Sequence, residues 1–255
     1  MIEIKNLSVK FGKKEILKEV SFLARDGEIT VVLGANGSGK TTLFRSIFST
    51  RGVGNDGEIY VNSVRTSDMS QRDIAKKVAL MPQNMPLPTI STLELVSYGR
   101  APYTGAFGNL SESDRAKVET AIRRVELWHL KDSLVSLMSG GERQRAFFAM
   151  ILAREAENVL LDEPASSLDA PSKSRLISFV KALKAQGKCV VMIMHDLTDA
   201  LAVADAVYLL DEGVMSPRMT PSEFASSDAV REIFHSAPYE LKTENGEVTV
   251  FRPLD

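Results

Sequence analysis

Cysteine is all but missing from this chain of 255 residues. Cys189 is the only one, so no disulfide can close within the chain. It lies in the apolar run Cys189-Val190-Val191-Met192-Ile193-Met194, which points to a buried neutral thiol. A surplus of charge of either sign is also missing: 31 basic against 33 acidic residues leave a formal net charge of -2. That balance argues against a dedicated nucleic-acid binder, whose surface is normally basic. The basic pairs Lys13-Lys14, Lys76-Lys77 and Arg123-Arg124 are scattered and read as solvated surface. Long apolar stretches are lacking too. The longest, Cys189 to Met194, suits a buried strand and falls far short of a membrane span. The opening Met1-Ile2-Glu3-Ile4-Lys5 has no signal-peptide core, and no repeat or low-complexity tract follows. These absences predict a cytosolic protein whose membrane role, if it has one, comes through a partner.

What is present is an ordinary globular composition, 44% hydrophobic and 25% charged, at a length that suits one large α/β domain. The first segment alternates as antiparallel strands do: Ile2 and Ile4, then Ser8 to Phe11, Ile16-Leu17, and Val20 to Leu23. The apolar run Ile29 to Leu33 leads into Gly34-Ala35-Asn36-Gly37-Ser38-Gly39-Lys40-Thr41-Thr42, and Leu43 to Phe48 reads as helix. Strand, glycine-rich turn and helix match the P-loop pattern G-x-x-x-x-G-K-[ST] in spelling and in context. Its glycines let backbone N–H groups turn inward around phosphate oxygens, and the helix N-terminus behind them adds a positive partial charge. Lys40 is expected to reach the β- and γ-phosphates of a nucleotide and the Thr41 hydroxyl to ligate Mg²⁺.

Farther along, Gly52-Val53-Gly54-Asn55-Asp56-Gly57 marks a turn before the strand Glu58 to Val61, and Val78 to Met81 reads as a buried strand ending at Pro82-Gln83. Met85-Pro86-Leu87-Pro88-Thr89 then breaks the chain. Beyond it Ser91 caps a helix over 92–98, and Ser111 opens a longer one carrying Val118, Ile122 and Val125 at helical spacing. This middle region reads as a helical insert of about residues 89–135, with Trp128 packed among its helices, between core segments of about 1–88 and 136–255. The strand Val159 to Asp162, a helix from Ser172 to Ala185, the strand Cys189 to Met194, a further helix and the strand Ala206 to Leu210 form a βαβ alternation. Asn158, at the head of the first of these strands, is a polar departure. Asn245-Gly246 before Val248 to Phe251 suggests a closing hairpin. The expected fold is α/β: a P-loop core with a mostly parallel sheet and helices on both faces, an N-terminal antiparallel β subdomain, and the helical insert.

Two further groups carry chemistry. Asp162 and Glu163 end a buried strand downstream of the P-loop, where a carboxylate can hold Mg²⁺ and its neighbour can polarise an attacking water. Met138-Ser139-Gly140-Gly141-Glu142 opens the helix Arg143 to Arg154 with a capping box, Ser139 to Glu142, while its glycines leave backbone N–H groups open to an anion. His195 follows the strand that contains Cys189.

Taken together these segments strongly resemble the ATP-binding subunits of ABC transporters. Met138 to Glu142 corresponds to the signature usually spelled L-S-G-G-Q, with Met for Leu and Glu for Gln. Gln83 corresponds to the Q-loop, Asp162-Glu163-Pro164 to Walker B, Ser167-Leu168-Asp169 to the D-loop, His195 to the switch histidine, and Phe11 to the aromatic that stacks on adenine. The resemblance implies ATP and Mg²⁺ as cofactors and a head-to-tail pair of ATP-binding domains, most simply two copies of this chain. ATP on the Lys40 side of one would be covered by Ser139, Gly140, Gly141 and Glu142 of the other. Glu163 is then the general base, His195 holds the γ-phosphate, and Gln83 links the metal, held by Thr41 and Asp162, to the helical insert. It further implies an integral membrane permease as partner, an extracytoplasmic substrate-binding protein acting indirectly, no nucleic acid, and a place on the cytoplasmic face of the membrane.

Leu95-Val96-Ser97-Tyr98-Gly99-Arg100-Ala101-Pro102-Tyr103 looks like the V-x-x-G-R-x-P-Y segment of importers for iron–siderophores, haem and cobalamin; a glycine and a following proline also end helices generally. Ser216-Pro217-Arg218-Met219-Thr220 departs from the usual small-residue and glycine run of the family. The alternatives are an importer of another small solute, a non-transport ABC ATPase of iron–sulfur assembly or nucleic-acid work, and a P-loop kinase. The kinase would have no use for Ser139-Gly140-Gly141.

Overall fold

The alternation at the start of the chain builds two long antiparallel strands, β1 (Ile2–Phe11) and β2 (Lys14–Ala24), in the computed structural model, which describes residues 1–48, 55–84, 86–104, 108–166, 168–234, 236–243 and 246–253. Expectations placed on Gly52-Val53-Gly54, Met85, Ser167 and Asn245 lie outside the described residues. The segments Ile16-Leu17 and Val20 to Leu23, separate in the sequence reading, are one strand. Glu19 takes φ 50°, and the pairing with β1 shifts register there, so the simple alternation is interrupted without ending the strand.

The chain then forms β3 (Ile29–Leu33), α1 (Lys40–Ile47), β4 (Asn55–Val61), β5 (Val64–Arg65), α2 (Gln71–Lys77) and β6 (Val78–Met81). Next come α3 (Thr92–Ser97), α4 (Glu112–Arg124) and α5 (Gly140–Arg154), followed by β7 (Asn158–Asp162), α6 (Ala170–Ala185), β8 (Cys189–Ile193) and α7 (Leu197–Val203). The chain closes with β9 (Ala206–Asp211), β10 (Val214–Met215), the short helices α8 (Pro221–Ala225) and α9 (Ala229–Glu232), and a hairpin of β11 (Ser236–Thr243) with β12 (Gly246–Pro253). The first sheet runs β2-β1-β4-β5 and the core sheet β10-β9-β3-β8-β7-β6, parallel throughout except for β10 at its edge.

Alternation along the core strands decides the layers. Val31, Val159, Leu161, Val190 and Met192 face one cluster, which they share with α3, α4, α5, α6 and α7. Val32, Leu160, Val191 and Ile193 face the other, where Leu43, Phe44 and Ile47 of α1 meet Ile2, Ile4, Leu17 and Phe22 of the antiparallel sheet. The second face is covered by α1 and α2 together with the antiparallel sheet, so helices stand on both faces of the core sheet as expected. An alternating sheet can bury its second face against another sheet as readily as against helices.

Helix starts follow the caps. Ser91 with Glu94, Ser111 with Asp114 and Ser139 with Glu142 form reciprocal capping boxes, each cap worth about 1 kcal/mol. Asn158 is fully buried because its Oδ1 accepts from the Met1 ammonium at 2.8 Å while its Nδ2 donates to Asn62 Oδ1 at 3.1 Å and to the Lys77 carbonyl at 3.0 Å. Trp128 is partly buried at the edge of the core, with the Arg123 guanidinium 4.1 Å from its ring.

Burial pushes the Cys189 thiol up to about 12. The native protein should therefore leave it unmodified by a disulfide reagent at pH 8 and release one equivalent of colour on denaturation; rapid native reaction would contradict this packing.

Candidate functional site

The fully buried β3 lies mid-sheet between β8 and β9 and delivers the glycine-rich turn to their common end. Gly34 takes φ 150°, and a Cβ there would stand 2.1 Å from the Leu210 carbonyl oxygen, so the turn can cross β9 only without a side chain. Gly39 is the N-cap of α1 at φ 111°, packed where a Cβ would meet Leu17 Cδ2 at 2.8 Å. With glycine as cap, the first turn of α1 receives no capping side chain among the described residues. The N–H groups of that turn face a cavity of about 470 Å³ lined by Gly37, Gly39, Lys40, Thr41, Gln83 and Glu163, among others. The donors and shape of a phosphate cradle are therefore present.

Lys40 is buried, and its ammonium donates to the carbonyls of Gly34 and Ala35, both at 2.8 Å. Burial lowers its pKa, and the Glu163 and Asp162 carboxylates pull it back up. An arriving polyphosphate would reinforce the second effect.

At the end of β7, the Thr41 hydroxyl donates to Asp162 Oδ2 at 3.2 Å. Burial raises the Asp162 pKa, opposed by the hydrogen bond from Thr41. The other carboxylate oxygen, Oδ1, is buried without a hydrogen-bond partner among the described residues. A hydroxyl, a carboxylate and one buried unsatisfied oxygen are hard ligands of the type Mg²⁺ takes, so the residues fit the metal. Ser38 Oγ, beside the cradle, is also buried without a partner among the described residues.

Glu163 follows in a left-handed turn, φ 50°, its N–H bonded to the Ile193 carbonyl at 3.1 Å across the strand ends. Its carboxylate is held from both sides. Gln83 Nε2 donates to Oε2 at 2.6 Å, and His195 Nε2 contacts Oε1. Residues from β3–α1 and from the ends of β6 and β7 thus converge on one opening, and His195, at the end of β8, meets Glu163 from an adjoining cavity. An anion cradle, a metal site and a carboxylate beside it are the parts needed to direct water at a terminal phosphate.

Other expected site residues stand elsewhere. Neither Ser139, Gly140, Gly141, Glu142 nor Asp169 lines this cavity. Ser139 caps α5, its backbone N–H and hydroxyl both donating to Glu142 Oε2 at 2.9 and 2.6 Å. Those hydrogen bonds, the hydroxyl's first, lower the Glu142 pKa and keep it ionised. Asp169 caps α6, accepting from the Ser172 N–H at 3.0 Å. Gly141 lies against Ser172, where a Cβ would come within 3.0 Å of the hydroxyl, so the starts of α5 and α6 share one surface. Phe11 is 59% exposed at the β1–β2 turn and does not line the cavity either.

Ile16 does line the cavity and was not anticipated. It sits in β2, and only the tertiary packing of β2 on α1 brings it there. Arg100, Pro102 and Tyr103 are not near the opening: Arg100 is 3% exposed and bonded to Asp114 Oδ1 and the Ala153 carbonyl.

The model of the family described as "ABC transporter" matches residues 17–166. The petrobactin import ATP-binding protein YclP of Bacillus subtilis (strain 168) is 32% identical over 236 residues, 92% of each chain. A chain from the structure described as an inward-facing metal-chelate type ABC transporter superposes with a TM-score of 0.87 at 25% identity, covering 100% of this chain and 97% of its own. The dimeric ATP-binding cassette MJ0796 bound to ADP and Pi gives a TM-score of 0.74 at 25% identity over 87% of this chain and 99% of its own.

Proposed function

We infer the work of this protein from the premise that it belongs to the ABC transporter family of ATP-binding subunits: it hydrolyses ATP, and we propose that it does so at a site shared between two copies to drive import of an iron chelate. The observation that carries the reading is the division of the site. The cradle, Thr41 and Glu163 line one cavity, with Asp162 held by the Thr41 hydroxyl, whereas Ser139 to Glu142 lie on a separate surface at a helix start capped by Ser139. A second copy packed head to tail would bring that helix start onto the phosphates, converging two positive helix ends, Lys40 and Mg²⁺ on one triphosphate.

In this proposal Thr41, Asp162 and Gln83 serve the metal, which when bound neutralises the phosphate oxygens. Glu163 takes the proton of the attacking water, and His195 orients the γ-phosphate. Residues 34–42 hold the phosphates. Phe11, exposed at the β1–β2 turn, is assigned the adenine ring, and Asp169 is assigned to the surface between copies. Residues of about 89–135 are taken as the helical subdomain. No described helix is long and apolar enough to cross a membrane, and the protein is placed on the cytoplasmic side through an integral permease. An external binding protein delivers solute to that permease. The petrobactin relative and the metal-chelate type transporter support iron chelate as the solute class, as does the G-R-x-P-Y segment. The test is ATP-driven uptake of a labelled ferric chelate by vesicles holding this chain with its permease. Uptake that requires Lys40 is expected; ATP turnover stimulated only by a different solute would reject the substrate class.

Glu142 adds a condition. Its carboxylate holds the Ser139 hydroxyl and places a negative charge near the incoming phosphates. Glu142→Gln keeps the cap geometry and removes that charge, so the KM for ATP should fall by about two- to five-fold, following a helix-terminus charge effect of a fraction of a kcal/mol to 1 kcal/mol. A raised KM in steady-state phosphate release would contradict the placement of this helix start over ATP.

A further inference from the structure

A cavity of about 470 Å³ lies at the opposite end of the core sheet from the ATP site. The strands β7 and β8 run parallel, and the cavity opens where they begin, beside Val159 and Lys188. Asp162, Glu163 and His195 stand where the same strands end. One wall is α4, on which Ala116, Thr120 and Arg124 follow one another at four-residue spacing and so share one face, with Lys117 beside them. The ends of α5 and α6 close the other side, and Ile151, Leu152 and Leu183 give it an apolar floor. Ala116 and Thr120 are short, and α5 stops at Glu155, which turns left-handed at φ 58°. Those two features leave the space unfilled.

The charged groups around this opening are mostly positive. Lys117, Arg124 and Lys188 line it against one carboxylate, Glu155. That carboxylate is already engaged: Lys117 Nζ lies 2.6 Å from its Oε2, and Nη1 of the buried Arg100 lies 3.4 Å from the same atom. Lys188 Nζ donates to the carbonyls of Ala156 at 2.6 Å and Glu155 at 3.3 Å, which uses two of the three donors of an ammonium. The exposed Arg124 side chain makes no hydrogen bond or ion pair among the described residues. Burial lowers the Lys188 pKa; Glu155 and Glu157 oppose that shift, and the nearby Arg124 guanidinium adds to it. An anion seated between Arg124 and Lys188 would relieve their repulsion.

We propose that this cavity binds a small amphipathic organic anion, with its acid group between Arg124 and Lys188 and its apolar or aromatic body on Ile151, Leu152 and Leu183. The volume lies in the usual range for a small-molecule site, about 300–1,000 Å³, and such sites combine an apolar lining with a few placed polar groups. An inorganic anion would use the cations and leave the floor in water. A neutral apolar molecule would use the floor and leave the guanidinium and the third ammonium donor unanswered. The cavity shares no lining residue with the one that holds the P-loop, so the two ligands do not compete for space. A molecule bound here touches α4, α5 and α6 at once and stabilises the folded chain by mass action.

The test titrates anilinonaphthalene sulfonate, an aromatic body bearing one acid group, into the full chain with its nucleotide site saturated by MgADP. Saturable fluorescence from one probe per chain is expected, together with a rise in thermal midpoint. Arg124→Gln removes an exposed, unpaired charge, and affinity should fall about ten-fold, the lower end for a charge-assisted hydrogen bond. Ala116→Phe fills the cavity from the α4 wall without altering any charge and should abolish binding. Arg123→Gln, on the neighbouring face over Trp128, should leave affinity within about two-fold. Phenylnaphthylamine, which keeps the rings and lacks the acid, should bind about ten-fold more weakly. Octanoate should displace the probe at far lower concentration than sulfate, which has an acid group and no apolar body. Midpoints measured without probe establish that each variant is folded. No saturable binding in MgADP would overturn the proposal, as would wild-type affinity in both Arg124→Gln and Ala116→Phe. Equal binding of the neutral probe would remove the role of the cations, and sulfate as effective as octanoate would remove that of the floor; either result also overturns it.

Discussion

Glu163→Gln will bind ATP and fail to turn it over. A general base contributes about 10²- to 10⁴-fold, so single-turnover hydrolysis should slow by at least two orders of magnitude. The substitution is nearly isosteric, and the amide oxygen can still accept from Gln83 Nε2, which now bonds Oε2 at 2.6 Å. What it loses is the ability to take a proton. Binding should be kept or tightened, because Lys40, the start of α1, Thr41 and Asp162 are untouched and one negative charge near the γ-phosphate is gone. Phosphate release within two-fold of wild type would reject Glu163 as the base.

Lys40→Ala should fail one step earlier, at binding. Its ammonium rests on the carbonyls of Gly34 and Ala35, and these would be exchanged for phosphate oxygens when ATP enters. A charge-assisted hydrogen bond is worth about 1.5–3 kcal/mol, so affinity should drop by about ten- to a hundred-fold in calorimetric titration. The free protein should melt close to wild type, since removing a buried ammonium also removes its desolvation cost. ATP should no longer raise that midpoint appreciably. Wild-type affinity would contradict the role given to Lys40.

The parts of this site that could be read from the chain are those whose cause is local. The P-loop, the capping box at Ser139 and the acidic end of β7 each depend on neighbours within a few residues, and each has a recognisable order of residue types. The parts that could not be read have distant causes. Ile16 reaches the cavity only because β2 packs on α1, and Asn158 is tolerated in a strand because the Met1 ammonium comes to it from the far end of the chain. Gly-Arg-x-Pro was legible as a helix stop, but the carbonyls of Ala153 and Arg154 that hold Arg100 lie more than fifty positions away. The β2 strand was read as two pieces because the positive φ of Glu19 breaks its alternation without breaking its pairing.

The central claim is that one copy holds ATP but cannot cap it, and Gly140 offers the cleanest way to ask. It is exposed, with open space where a Cβ would be, so Gly140→Asp should leave the fold alone while setting a carboxylate against the partner's phosphates. Sedimentation velocity of Glu163→Gln with and without MgATP, beside the same protein carrying Gly140→Asp, decides the matter. The account predicts a monomer that becomes a dimer on ATP, and a doubly substituted chain that binds ATP yet stays monomeric. Equal dimerisation of both, or full-rate hydrolysis by a wild-type preparation that stays monomeric, would contradict it.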